Sequence, residues 1–93
     1  MSPKAMSRIL GVLATERRIQ IMRVLLDSDE PVPSSVVGGI VGMDDGPTSF
    51  NLTKLAEVGL VTRNASGRWV FYSANRVVME EVQKFWSKSD GNG

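Results

Sequence analysis

The sequence predicts a mainly α domain: five helices, with one small β-hairpin set between the fourth and the fifth. Three observations lead there. Apolar residues recur at three- and four-residue intervals near both ends of the chain. Capping and stopping residues cut the middle into short helices. Just after Gly59 the apolar period changes from helical toward extended. At 93 residues the chain has room for one small domain.

Met6, Ile9, Leu10 and Leu13 fall on one stripe, which predicts a first helix over residues 4–14. Thr15 is the expected N-cap of a second helix, lined by Ile19, Met22, Leu25 and Leu26 and running to about Ser28. The run from Asp27 to Pro31 ends it. Pro33 or Ser34 then opens a third helix through Val41, where Gly38 and Gly39 together cost roughly 2 kcal/mol relative to alanines, so a close helix crossing is expected there. Gly42 stops that helix, Met43 plugs the turn, and Asp44 or Asp45 caps a fourth helix from about Gly46 to Val58. Beyond Gly59, Leu60 to Thr62 lead out, Ala65 to Gly67 turn, and Trp69 to Tyr72 return as a hairpin. Trp69 and Phe71 alternate with Val70 and Tyr72, so one pair packs and the other is left partly open. Asn75 caps a last helix carrying Val78, Met79, Val82, Phe85 and Trp86 on one side. Residues 4–88 form the expected domain and 89–93 a disordered tail.

Composition narrows the function. With 42% apolar and 23% charged residues the chain has globular proportions. No apolar run reaches the length of a membrane span and no secretory signal opens the chain, so a cytoplasmic protein with no membrane partner is expected. Cysteine and histidine are both absent. That removes thiolate chemistry, the commonest general base and the commonest metal ligand, and no nucleophile–base pair or phosphate-binding loop can be assembled; the expectation is a binding protein without catalytic residues, cofactor or metal. The net charge of +1 hides blocks: +4 over residues 1–26, −5 over 27–45, +3 over 46–76 and −1 beyond. The third block carries Lys54, Arg63, Arg68 and Arg76 and suits a polyanion, although so few solvated cations are also ordinary for a surface.

Two short helices joined by a tight turn and followed directly by a hairpin with Gly67 and Arg68 at its tip are in the order of a winged helix-turn-helix, whose second helix enters the DNA major groove. The residues also resemble a family. The segment Met43-Asp-Asp-Gly-Pro-Thr-Ser-Phe-Asn-Leu-Thr-Lys-Leu-Ala-Glu-Val-Gly-Leu-Val61 is similar to the turn, recognition helix and exit of ArsR/SmtB-type regulators. Thr15 to Leu26 resembles that family's second helix and Gly67 to Asn75 its wing, so the likeness runs over residues 6 to 86. It implies a homodimeric DNA-binding repressor that dimerises through its first and last helices. Two features depart from the family. Its sensor cysteines, at the start of the third helix, are replaced here by Pro33 and Ser35, and the His and acidic ligands of the last helix are missing, so metal and thiol sensing are not expected. Asp44 and Asp45 stand where phosphates would lie; one reading makes them an N-cap and a dipole partner, the other makes the domain a protein-interaction module that has lost DNA binding.

The DNA-binding candidates are Thr48, Ser49, Phe50, Asn51 and Lys54 on the fourth helix and Arg63 and Arg68 on the hairpin. In the family the positions of Ser49 and Phe50 face DNA. Asn51 can bond an adenine edge and Phe50 can touch a thymine methyl, although Phe50 equally suits apolar packing. Ser49, Lys54, Arg63 and Arg68 suit phosphates, and Arg68 can also reach the minor groove. Leu52 and Leu55 belong to the core, with Thr48 half turned inward. The family's pairing implies that Met6, Ile9, Leu13, Val78, Val82, Phe85 and Trp86 meet a second copy across a two-fold axis, which in turn implies a palindromic operator. The expected partners are double-stranded DNA and a second copy of the chain; an inducer or protein partner stays open.

Overall fold

The computed structural model describes residues 1–87, so the tail expected over 89–93, and the last residue of the expected domain, lie outside the described residues. The elements run α1 (Pro3–Leu13), α2 (Glu16–Leu26), β1 (Val32–Pro33), α3 (Ser34–Val41), α4 (Asp45–Glu57), β2 (Val61–Ser66), β3 (Trp69–Ala74) and α5 (Arg76–Trp86). The expected helices and hairpin are all present.

Local chemistry sets the boundaries. The Ser2 hydroxyl accepts the Ala5 amide at 3.1 Å ahead of Pro3, which needs no amide partner at a first helical position, so α1 starts one residue before the stripe suggested. Thr15 caps α2 by accepting from the Arg18 amide at 3.2 Å, and Asn75 caps α5 by accepting from the Val78 amide at 3.3 Å. The second helix ends at Leu26 rather than Ser28, because Ser28 turns its hydroxyl to the Glu30 carbonyl at 2.6 Å and accepts the Glu30 amide in return. Gly59, at φ 80°, lets the Leu60 amide reach back to the Leu55 carbonyl and its own amide to that of Ala56, and the side chains of Leu55 and Leu60 are both buried in the core.

Three details differ from expectation. The sheet has three strands, in the antiparallel order β1-β3-β2, because Val32 and Pro33 pair with Tyr72 and Phe71. Proline has no amide to offer a ladder, and it sits here on an edge strand, where one is dispensable. The hairpin turn is Gly67-Arg68, since Ser66 already pairs with Trp69; Gly67 at φ 60° is the first central residue, as a type II′ turn requires. Asp44 holds the N-cap position of α4, but its carboxylate makes no capping bond.

The core gathers Ile21 and Leu25 from α2, Val37 from α3, Leu52 and Leu55 from α4, Leu60, and Tyr72 from β3. Tyr72 and Val70 face it while Trp69 stands open on the other side of the hairpin, the division the alternation predicted. The close crossing of α3 and α4 sits at Gly38, where a Cβ would come within 2.7 Å of Thr48 Oγ1 and 2.9 Å of the Met43 carbonyl oxygen. Gly39 plays no part in it, as a Cβ there meets nothing within 4 Å.

Candidate nucleic-acid interface

α3 and α4 are joined by the short turn at Gly42 to Asp44, and α4 passes through Gly59 into the β2–β3 hairpin, so one continuous segment supplies a helix pair and its wing. Thr48, Leu52 and Leu55 turn inward and anchor α4; Ser49, Phe50 and Thr53 face outward. Phe50 is 57% exposed, so its ring is a surface feature rather than packing. Lys54 hangs over that ring at 5.4 Å from the centroid and lies 3.7 Å from the Glu57 carboxylate, which holds its ammonium along the helix.

One candidate on α4 is buried and another is engaged within the chain. Thr48 is 1% exposed and its hydroxyl donates to the Asp44 carbonyl at 2.8 Å, so it braces the start of the helix and offers nothing to a base edge. Asn51 has both ends of its amide engaged: Oδ1 accepts from Arg18 Nε at 2.9 Å and Nδ2 donates to the Pro47 carbonyl at 2.8 Å. Two-point contact with adenine would require it to release these partners.

Arg63 and Arg68 are exposed, one along β2 opposite Tyr72 and the other in the wing turn. The remaining arginines of the basic blocks are not all equally available. Arg17 donates to the Val41 carbonyl at the end of α3, Arg18 to the Val12 carbonyl at the end of α1, and Arg76 to the Leu26 carbonyl at the end of α2 and the Ser28 carbonyl just past it. Each guanidinium satisfies a carbonyl that a helix terminus leaves without a partner and meets the negative end of its dipole. Counting charge along the sequence missed this, because a capping arginine and a free one carry the same +1. Asp44 and Asp45 are exposed at the opposite, positive end of α4.

The expected second interface divides. Met6 and Ile9, at 2% and 6% exposure, are largely covered within the single chain, with Met6 at the floor of a shallow groove that Phe85 and Trp86 also line. Leu13, Val78 and Val82 are half-buried against the core. α5 has no fully buried residue although Val78, Met79, Val82, Phe85 and Trp86 share one side, and at its end Trp86 is 65% exposed with the Phe85 ring edge-on at 5.0 Å.

Among the described residues no helix is long and apolar enough to cross a membrane. No protein-family model matches the chain. It is 34% identical over 64 residues to a putative arsenical resistance operon repressor, ArsR, of Halobacterium salinarum, a stretch covering 69% of this chain and 50% of that protein. The chain thus spans about half the length of the curated relatives it matches. In fold it is similar to the homodimeric winged helix-turn-helix DNA-binding domain of a possible ArsR-family transcriptional regulator from Mycobacterium bovis, with a TM-score of 0.76, 24% identity and coverage of 88% of this chain and 75% of the other. An ArsR-like transcriptional regulator from Rhodococcus sp. RHA1 superposes with the same TM-score at 18% identity, covering 88% and 76%. These relatives are named as regulators of transcription, not as enzymes. The fold is the winged helix-turn-helix of ArsR-type regulators, and the sequence is similar to that family's repressors.

Proposed function

We propose that this chain, a winged helix-turn-helix domain similar to ArsR-type repressors, acts as a homodimeric, sequence-specific DNA-binding repressor. The observation that carries the reading is the outward row of Ser49 and Phe50 on the second helix of the pair, joined to a wing whose Arg63 and Arg68 are exposed. In this reading α4 enters the major groove, where Phe50 meets thymine methyls and Ser49 a base edge or phosphate. Lys54, Arg63 and Arg68 neutralise phosphates, with Arg68 at the backbone or the adjacent minor groove. Asn51 acts from behind, through its bonds within the protein.

α5 supports the dimer: Val82, Phe85 and Trp86 present apolar surface that one chain only half covers, and Leu13 and Val78 extend it. Two-fold pairing then sets two reading helices roughly 34 Å apart on a palindromic operator. With no cysteine or histidine among these 93 residues, this domain itself offers no thiolate or imidazole to a thiol or metal sensor. The exposed carboxylates of Asp44 and Asp45 favour a second reading, a winged-helix module that binds protein instead of DNA.

Arg68→Ala separates the two. The DNA reading expects weaker binding to every duplex and a slope of log affinity against log salt that is smaller by about 1. An unchanged slope removes Arg68 from the interface. Retention of a protein partner by a chain that binds no duplex at low salt establishes the second reading.

A further inference from the structure

Arg18 lies in the first turn of α2, yet its guanidinium joins two other helices. Its Nη1 donates to the Val12 carbonyl at 2.9 Å, near the end of α1, and its Nε donates to Asn51 Oδ1 at 2.9 Å on α4. Asn51 passes the connection on by donating from Nδ2 to the Pro47 carbonyl at 2.8 Å, one turn back. These neighbours fix the amide's orientation, since a flipped amide would set donor against donor at Arg18 and acceptor against acceptor at Pro47. One chain of hydrogen bonds therefore runs from the end of α1, through α2, into the first turns of α4.

We infer that Arg18 is a positioning residue: by tying the end of α1, where Leu13 borders the proposed dimer face, to α4 it sets the angle between that face and the reading helix, and with it the spacing at which two copies meet DNA. This rests on the DNA-binding reading above. A guanidinium is a rigid planar fork, so two bonds from it fix direction as well as distance. Both bonds are partly buried and charge-assisted, which makes them stronger than exposed neutral ones. Ser49 and Phe50 lie between Pro47 and Asn51, so the bonded pair brackets the outward residues. Because a two-fold axis repeats any tilt of α4 in the second copy, loosening the tie alters half-site spacing twice over. Such a residue governs discrimination between sequences, whereas general attraction to phosphate belongs to the exposed arginines.

The test uses the full chain and two duplexes of equal length and composition, one selected by the wild type from a random-sequence pool and one scrambled. Arg18→Gln, Asn51→Ala and the double variant are titrated against both at two salt concentrations, with folding checked by circular dichroism. The expected result is that each single variant lowers the ratio of selected to scrambled affinity about tenfold, and that the double variant loses no more than either single one. Affinity for the scrambled duplex and its salt slope stay at the wild-type values. An unchanged ratio, or losses that add in the double variant, overturns the inference while leaving the DNA reading standing. Equal losses on both duplexes with a smaller salt slope overturn it by making Arg18 a phosphate contact. Should Arg18→Gln fail to fold, Asn51→Ala decides from the other side of the same bond. Failure of the wild type to select or retain any duplex overturns the DNA reading itself, and the inference with it.

Discussion

Gly38 and Gly39 are neighbours in one helix with opposite reasons for being glycine. Gly38 lies where α3 and α4 touch, and Gly39, about a hundred degrees further round the helix, looks into open space. Gly38→Ala must push into Thr48 Oγ1 and into backbone at Met43, and is expected to destabilise the fold by about 1–3 kcal/mol despite alanine's helix preference. Gly39→Ala adds helix propensity without a clash and should stabilise by up to about 1 kcal/mol. Urea unfolding of the two variants checks this, and shifts of the same sign would contradict the packing described. The sequence announced the crossing through its glycine pair but not which glycine makes it, because a side-chain clash depends on the partner helix. Asn51 was hidden for the same reason, and the inward turn of Thr48 was legible only in part. Both are polar residues on a helix expected to read DNA, and only the positions of the Asp44 carbonyl and of Arg18, 33 residues before Asn51, show that they are bonded within the protein.

Helices whose signals are local were legible as elements. Thr15 and Asn75 cap as expected, since an N-cap needs only the next few amides, and Gly42 and Gly59 end helices through their own positive φ. β1 was not legible: two residues, one of them proline, carry no periodicity, and their pairing with β3 joins segments about forty residues apart. The start of α4 was read only in part. Asp44 holds the expected cap position, yet its carboxylate bonds no amide, so the charge contributes through the dipole alone. Asp44→Asn should therefore change the unfolding free energy by less than about 0.5 kcal/mol, the usual scale of a surface substitution. In the DNA reading the same change tightens binding to any duplex, because it removes a negative charge from the helix end nearest the phosphates. A loss of about 1 kcal/mol or more would mean that the carboxylate caps the helix after all.

At the scale of the molecule, the apolar side of α5 is the feature that a single chain leaves incomplete. Its stripe was plain in the sequence, but how much of it the chain's own core would cover was not; on α1, by contrast, Met6 and Ile9 are covered already. Trp86→Glu places a charge on a largely exposed ring position and so spares the monomer's packing. It is expected to turn a dimer into a monomer in sedimentation velocity while the helical circular dichroism is kept; a wild-type chain that sediments as a monomer at high concentration would remove the two-fold arrangement. Loss of the dimer should also weaken DNA binding, since each half then binds without the other's help.

The central claim is that the second helix and the wing together read DNA, and fluorescence-anisotropy titration tests it most directly. The wild-type chain is titrated with the DNA upstream of its own gene and with a scrambled duplex, at two salt concentrations. The account predicts tighter binding to the upstream duplex, two chains per site, and affinity that falls steeply with salt. Absence of binding to either duplex at low salt would contradict it and give first place to the protein-binding module.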